Sequence, residues 1–143
     1  MLSKLSLIAT LGFSVLAQAT VMPQIIVYTT DYYPILRVDL AQQVYYVDSV
    51  EKWEDNISKS LSLNPNQVEQ EAQNLFKQPQ WQQQEQQLKL AYEGVLNGWQ
   101  NGIKKVPAIL FQASGYEDSV IYGEQNVAVA LTIWQRYYGQ QSQ

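Results

Sequence analysis

The chain has 143 residues, 46% of them hydrophobic and 15% charged, with a formal net charge of −4. That is enough apolar material for one domain with a core of its own. It lacks the clustered Lys and Arg that phosphate-backbone binding or a polybasic membrane contact needs, so direct nucleic-acid binding is not expected.

Two residue types are missing altogether, cysteine and histidine. Their absence excludes disulfides, thiol redox chemistry, cysteine nucleophiles and imidazole acid–base catalysis by this chain. It also removes the usual zinc ligands. A metal would have oxygen donors alone, and no carboxylate loop of calcium-binding spacing is visible. Neither a metal nor a cofactor is expected.

Residues 1–19 read as a secretory signal peptide. Lys4 gives a positive start, residues 5–16 form a largely apolar run, and Ala17-Gln18-Ala19 is a small-x-small cleavage site. The run is shorter than the ~20 apolar residues of a membrane span. Cleavage would leave no stable span and a single domain over residues 20–143.

Residues 24–30 hold the short apolar run Ile25-Ile26-Val27-Tyr28, which predicts a first strand. A loop with Tyr32, Tyr33 and Pro34 follows, then an expected short helix over 35–42. A second strand is expected over 44–47. Strand, short crossover, strand points to a parallel pair. Asp48 or Ser49 is placed to cap a helix whose apolar face is Val50, Trp53, Ile57 and Leu61. Asn64-Pro65 restarts the helix, and Pro79 breaks it again. The glutamine-rich residues 78–87 read as a solvated helix face. Beyond them Leu88, Tyr92, Val95 and Trp99 repeat at helical spacing, and this face is expected to pack on a sheet. Gly98 and Gly102 are four apart and predict a close backbone approach, with Gly102 also suited to end the helix.

Pro107 then opens Ala108-Ile109-Leu110-Phe111, the third expected strand. A leading proline sits where its missing N–H does least harm, and is also a place for a cis bond. A polar turn with Gly115 precedes Val120-Ile121-Tyr122, so the two strands read as a hairpin. Gly123 suits a positive φ into a last helix with Val127, Leu131, Trp134 and Tyr138 on one face. Residues 139–143 read as a frayed polar tail.

A parallel strand pair followed by a proline-led antiparallel hairpin and a helix resembles the thioredoxin-like arrangement. The fold expected is therefore α/β, with a central mixed four-stranded sheet, a parallel pair plus an antiparallel hairpin, flanked by helices. In that arrangement the redox motif would follow the first strand. Here the loop at 29–34 has no cysteine, so the scaffold would carry no redox chemistry.

Taken together, Val27-Tyr28-Thr29-Thr30, Ala91-Tyr92-Glu93-Gly94-Val95, Trp99, Gly102-Ile103, Lys105-Val106-Pro107-Ala108-Ile109, Val120-Ile121-Tyr122-Gly123 and Val127-Ala128 resemble the integrating-conjugative-element protein family of unknown molecular function. The resemblance implies an exported, periplasmic, thioredoxin-like protein among the mating-pair and type IV secretion components of mobile elements. It brings no catalytic residues with it. Its implied partners are other exported components of the conjugation apparatus.

Three functions are weighed. The first is a non-catalytic accessory acting by protein–protein binding, with Tyr32, Tyr33, Val106 and Pro107 as the expected partner surface and Tyr116 as a further aromatic anchor. Pro107, Gly102 and Gly123 have structural roles in this reading. The second is a chaperone-like holdase for pilin or channel subunits. The third is a carboxylate hydrolase built on Glu51, Glu54 and Asp55, or on Glu117 and Asp118. Those carboxylates lie on stretches that read as solvated surface, which disfavours it.

Overall fold

The computed structural model describes residues 21–141, so the expected signal peptide lies outside the described residues. A four-stranded sheet in the order β2-β1-β3-β4 forms the centre. β1 spans Gln24–Thr29 and β2 Gln43–Tyr46. β3 spans Ala108–Gln112 and β4 Ser119–Tyr122. β1 pairs parallel with β2 and antiparallel with β3, and β3 pairs antiparallel with β4. The mixed α/β sheet expected from the sequence is present.

Period-two alternation splits the strand residues between two cores. Ile25, Val27, Ile109 and Phe111 face α4 (Val127–Gln141), where they meet Val127, Ala130, Trp134 and Tyr138. Ile26, Tyr28, Ala108 and Leu110 point to the other face. That face is covered by α3 (Pro79–Gln100), with α1 (Ser49–Ser60) and α2 (Pro65–Phe76) leading up to it. Because β1 and β3 are buried on both faces, they read as continuous apolar runs rather than alternating ones. α1 and α2 contain no buried residue.

The helix starts follow local chemistry. The Asn64 side chain accepts a hydrogen bond from Asn66 N at 3.1 Å, and Pro65 takes the first turn of α2. Pro79 occupies the same place in α3. Asp48 precedes α1, yet its side chain does not cap it; the carboxylate is used elsewhere, as described below. Gly102 and Gly123 have φ of 69° and 81°, a region that L side chains rarely adopt. The Val106–Pro107 peptide is cis.

Three expectations are corrected. Residues 35–42 do not form a helix beyond the single 3-10 turn Val38–Leu40. Backbone pairing outcompetes it: Leu36 N donates to Gln125 O at 2.7 Å, Val127 N donates to Leu36 O at 3.0 Å, and Arg37 has φ 58°. These bonds strap the crossover to the start of α4. Second, residues 139–141 of the expected tail are helical and continue α4, and residues 142–143 lie outside the described residues.

The third correction concerns α3. The face seated on the sheet is Ala91, Gly94 and Gly98, whereas Tyr92, Val95 and Trp99 are exposed. Small residues win that face because Tyr28 and Tyr45 already fill the space above the sheet, stacked with centroids 5.7 Å apart. Gly94 and Gly98 mark the close approach, and an added Cβ at Gly102 would meet nothing within 4 Å.

Candidate partner-binding surface

The register Tyr28↔Ala108 makes the loop after β1 and the segment before β3 leave the same end of the sheet. The β1 loop is held by its backbone. Thr29 Oγ1 donates to Tyr33 O at 2.8 Å and Tyr33 N donates to Thr30 O at 3.0 Å. Gln125 Nε2 donates to Pro34 O at 3.2 Å, tying the loop to the segment before α4. From this frame Tyr32 projects with 86% of its surface exposed and Tyr33 with 42%.

An ion cluster braces the same end. Lys52 on α1 pairs with both Asp31 and Asp48, the latter at 2.6 Å, and Asp31 N donates to Asp48 Oδ2 at 3.5 Å. The Asp48 carboxyl is pushed up by partial burial, but bonds from Lys52 and from the Asp31 backbone outweigh this and hold it below its ordinary range. A carboxylate whose pKa is lower in the folded state stabilises the fold above its ordinary pKa. That contribution is lost as pH falls through the lowered value. Asp48→Asn is therefore expected to flatten the acid limb of a stability–pH curve below the ordinary carboxylate pKa. An acid limb identical to that of the parent protein would show that the pair adds nothing.

On the other side of cis-Pro107, a groove of about 400 Å³ runs between α3 and the segment before β3. Gly94, Val95, Gly98 and Trp99 form one wall, and Lys104 to Val106 the other, with Tyr28 at the base. Tyr28 is anchored from below: its hydroxyl donates to Asn97 Oδ1 and accepts from Asn101 Nδ2 at 3.5 Å. Burial raises the Tyr28 pKa, so the phenol stays protonated. Lys105 Nζ sits 5.3 Å above the Tyr122 ring, and Lys104 N donates to Tyr122 Oη at 3.4 Å. A larger groove of about 570 Å³ separates β2, α1 and α3, with Trp53, Ile57, Leu75 and Leu88 among amide side chains.

The four expected partner residues divide between these features. Tyr32 and Tyr33 are on the open loop, Val106 lines the smaller groove, and Pro107 is buried behind it. Tyr116 is not an open anchor. It is half-buried, with its ring 5.8 Å from Trp134 and 4.9 Å from Tyr138 in edge contacts. The carboxylates weighed for hydrolysis face solvent: Asp55 pairs with Lys59 at 2.5 Å, and Asp118 accepts from Gln112 Nε2 at 2.6 Å. Among the described residues, no group of three acidic side chains is placed to hold a metal ion. No helix among them is long and apolar enough to cross a membrane. Sequence reasoning missed the exposed residues Val95 and Trp99 as surface. The signal was the small-residue row Ala91, Gly94 and Gly98, which competes for the sheet at the same helical spacing.

These features define a small α/β domain whose prominent surfaces are apolar and aromatic. The chain belongs to the family described as "Protein of unknown function (DUF1525)", whose model matches residues 22–140. No curated protein matches it, and no solved structure does.

Proposed function

We propose that this chain is a non-catalytic, periplasmic accessory of a conjugative, type IV secretion-like DNA-transfer apparatus, and that it works by binding other exported components. The scaffold is read as thioredoxin-like: strand order, the proline-led hairpin and the helix after it support that reading, and the absence of cysteine removes its redox use. The place in conjugation rests on the resemblance described above, which runs over most of the chain after residue 19 and is strongest over residues 91–128. The observation that carries the binding role is the Tyr32–Tyr33 loop. Two tyrosines are exposed on a backbone already fixed by Thr29, Thr30 and Gln125. Tyrosine offers a large amphipathic surface with few rotamers to freeze, and a prefixed loop lowers the ordering cost of binding.

The test is transfer frequency from a donor strain carrying the mobile element with this gene deleted in frame. Deletion is expected to lower transfer, and the gene in trans to restore it. A double Tyr32→Ala/Tyr33→Ala gene is expected to restore it poorly, while the variant protein keeps its melting temperature because neither ring is buried. Full complementation by the double variant would remove the loop from the binding role. Unchanged transfer on deletion would remove the protein from the process.

A further inference from the structure

We propose that the free edge of β2 takes up an extended, uncharged segment of another protein as a fifth strand of the sheet. β2 stands at one end of the order β2-β1-β3-β4, so one side of its backbone has no strand beside it. Val47 N donates to Thr29 O at 2.9 Å, and Tyr46 lies opposite Thr29. Peptide groups alternate in direction along a strand, so Gln43, Tyr45 and Val47 turn theirs to β1. Val44 and Tyr46 turn theirs outward. Among the described residues, the hydrogen bond these outward groups receive is a long one, from Gln43 Nε2 to Val44 O at 3.4 Å. It comes from a side chain that an incoming strand can displace.

The sequence leaves this edge unguarded. Ala41-Gln42-Gln43-Val44-Tyr45-Tyr46-Val47 holds no charge, proline or glycine. Charges and prolines are what edge strands ordinarily carry to refuse a further strand. At the opposite edge of the sheet, by contrast, Lys105 lies over the Tyr122 ring of β4. The groove of about 570 Å³ follows the unguarded edge. It is lined by the four consecutive residues of β2, Gln43 to Tyr46. Successive side chains of a strand point to opposite faces, so a groove that touches all four borders the backbone edge. Trp53 and Ile57 of α1 and Leu88 of α3 make its apolar wall, and Asn56, Gln84 and Gln87 add amides. The one charged residue in its lining is Lys52, which is already paired with Asp31 and Asp48.

Unpaired N–H and C=O groups beside an apolar wall, with no free charge, are the complement of an extended backbone with β-branched or aromatic side chains. α1 favours a lone segment over the β2 of a second copy. Antiparallel pairing of two β2 strands needs a two-fold axis perpendicular to the sheet. That axis keeps both α1 helices on the same side of the joined sheet, where each would stand over the other's groove. The site is on other elements than the Tyr32–Tyr33 loop and is tested on the purified chain, so it stands or falls apart from the proposed function.

The experiment is amide hydrogen exchange by NMR, with a pool of acetylated seven-residue peptides built from valine, isoleucine, threonine and tyrosine as the probe. In the free chain the Val44 and Tyr46 amides are expected to exchange fast and the Tyr45 amide slowly. The pool should slow Val44 and Tyr46. The tightest-binding peptide is then N-methylated at one or the other alternate set of residues. One set should weaken binding by at least about tenfold and the other should leave it unchanged, because only one set donates to β2. Tyr46→Pro removes an outward donor and spares the ladder to β1, so it should weaken the unmethylated peptide while the β1 and β3 amides keep their slow exchange. Fast exchange at Val44 and Tyr46 with the pool at millimolar concentration overturns the proposal. Two N-methylated peptides that act alike overturn it in favour of a side-chain contact in the groove. A dimer that protects Val44 and Tyr46 without any peptide overturns it in favour of a second copy.

Discussion

Trp134→Ala is expected to cost about 3–5 kcal/mol, the range seen when a large buried aromatic is truncated. For a domain of this size that is a large share of the total stability. Trp134 is 5% exposed and joins three other rings. Its centroid is 5.9 Å from Phe111, 5.8 Å from Tyr116 and 5.0 Å from Tyr138. Through Phe111 it reaches β3, and through Tyr116 the β3–β4 turn. The last contact is reinforced by the Tyr138 hydroxyl, which donates to Glu117 O at 2.9 Å. Truncation would leave a void in the contact that seats α4 on the sheet. Trp134→Phe should cost clearly less. The indole Nε1 has no hydrogen-bond partner among the described residues, so phenylalanine forfeits volume but no hydrogen bond. Urea midpoints of the two variants decide the matter. An alanine variant with the parent midpoint would mean that α4 does not rely on this contact.

The α4 side of the molecule was readable in the sequence because one helix face does one job. Val127, Leu131, Trp134 and Tyr138 were the expected face; three of them are buried, and Leu131 packs half-buried against the same cluster. The strands were equally readable, since unbroken apolar runs bounded by proline, glycine and polar residues have few alternatives. The crossover at 35–42 was not. Nothing in Ile35 to Leu40 reveals that Leu36 will be paired with residues 125–127, nearly ninety positions away. Local propensity for a helix there loses to long-range backbone hydrogen bonds.

The candidate surface was legible in part for a related reason. Tyr32 and Tyr33 lie between Asp31 and Pro34 in a polar stretch after a strand, so an aromatic loop could be read directly, but its tether to Gln125 could not. On α3 two rows compete, one large and apolar, one small. Periodicity alone selects the larger row, but helix–sheet distance is set by what already stands on the sheet. Two tyrosines stand there, and a helix carrying more large side chains on that face would be held off. The larger row therefore turns outward, and a feature that reads as core becomes surface.

The sharpest test of that account is a pair of substitutions at neighbouring positions on one helix, expected to act in opposite directions. At Gly94 an added Cβ would lie 2.7 Å from Tyr45 Cβ and 2.8 Å from its Cγ and Cδ1. These atoms are at the root of the side chain, so rotating the ring does not relieve the clash; α3 or the edge strand β2 must shift. Replacing an interior helical glycine by alanine gains about 1 kcal/mol in propensity. Overpacking of this kind costs about 1–3 kcal/mol, so Gly94→Ala should be destabilising on balance, and Gly94→Val more so. At Gly98 the nearest atoms are Tyr28 Cδ1 and Cε1 at 3.4 Å, an ordinary contact distance. Gly98→Ala should therefore keep most of the propensity gain and raise stability by up to about 1 kcal/mol. Thermal or urea denaturation of the two variants reads the sign directly. Stabilisation at both positions would show that α3 is not seated on Tyr45, and would return the row Tyr92, Val95 and Trp99 to the sheet.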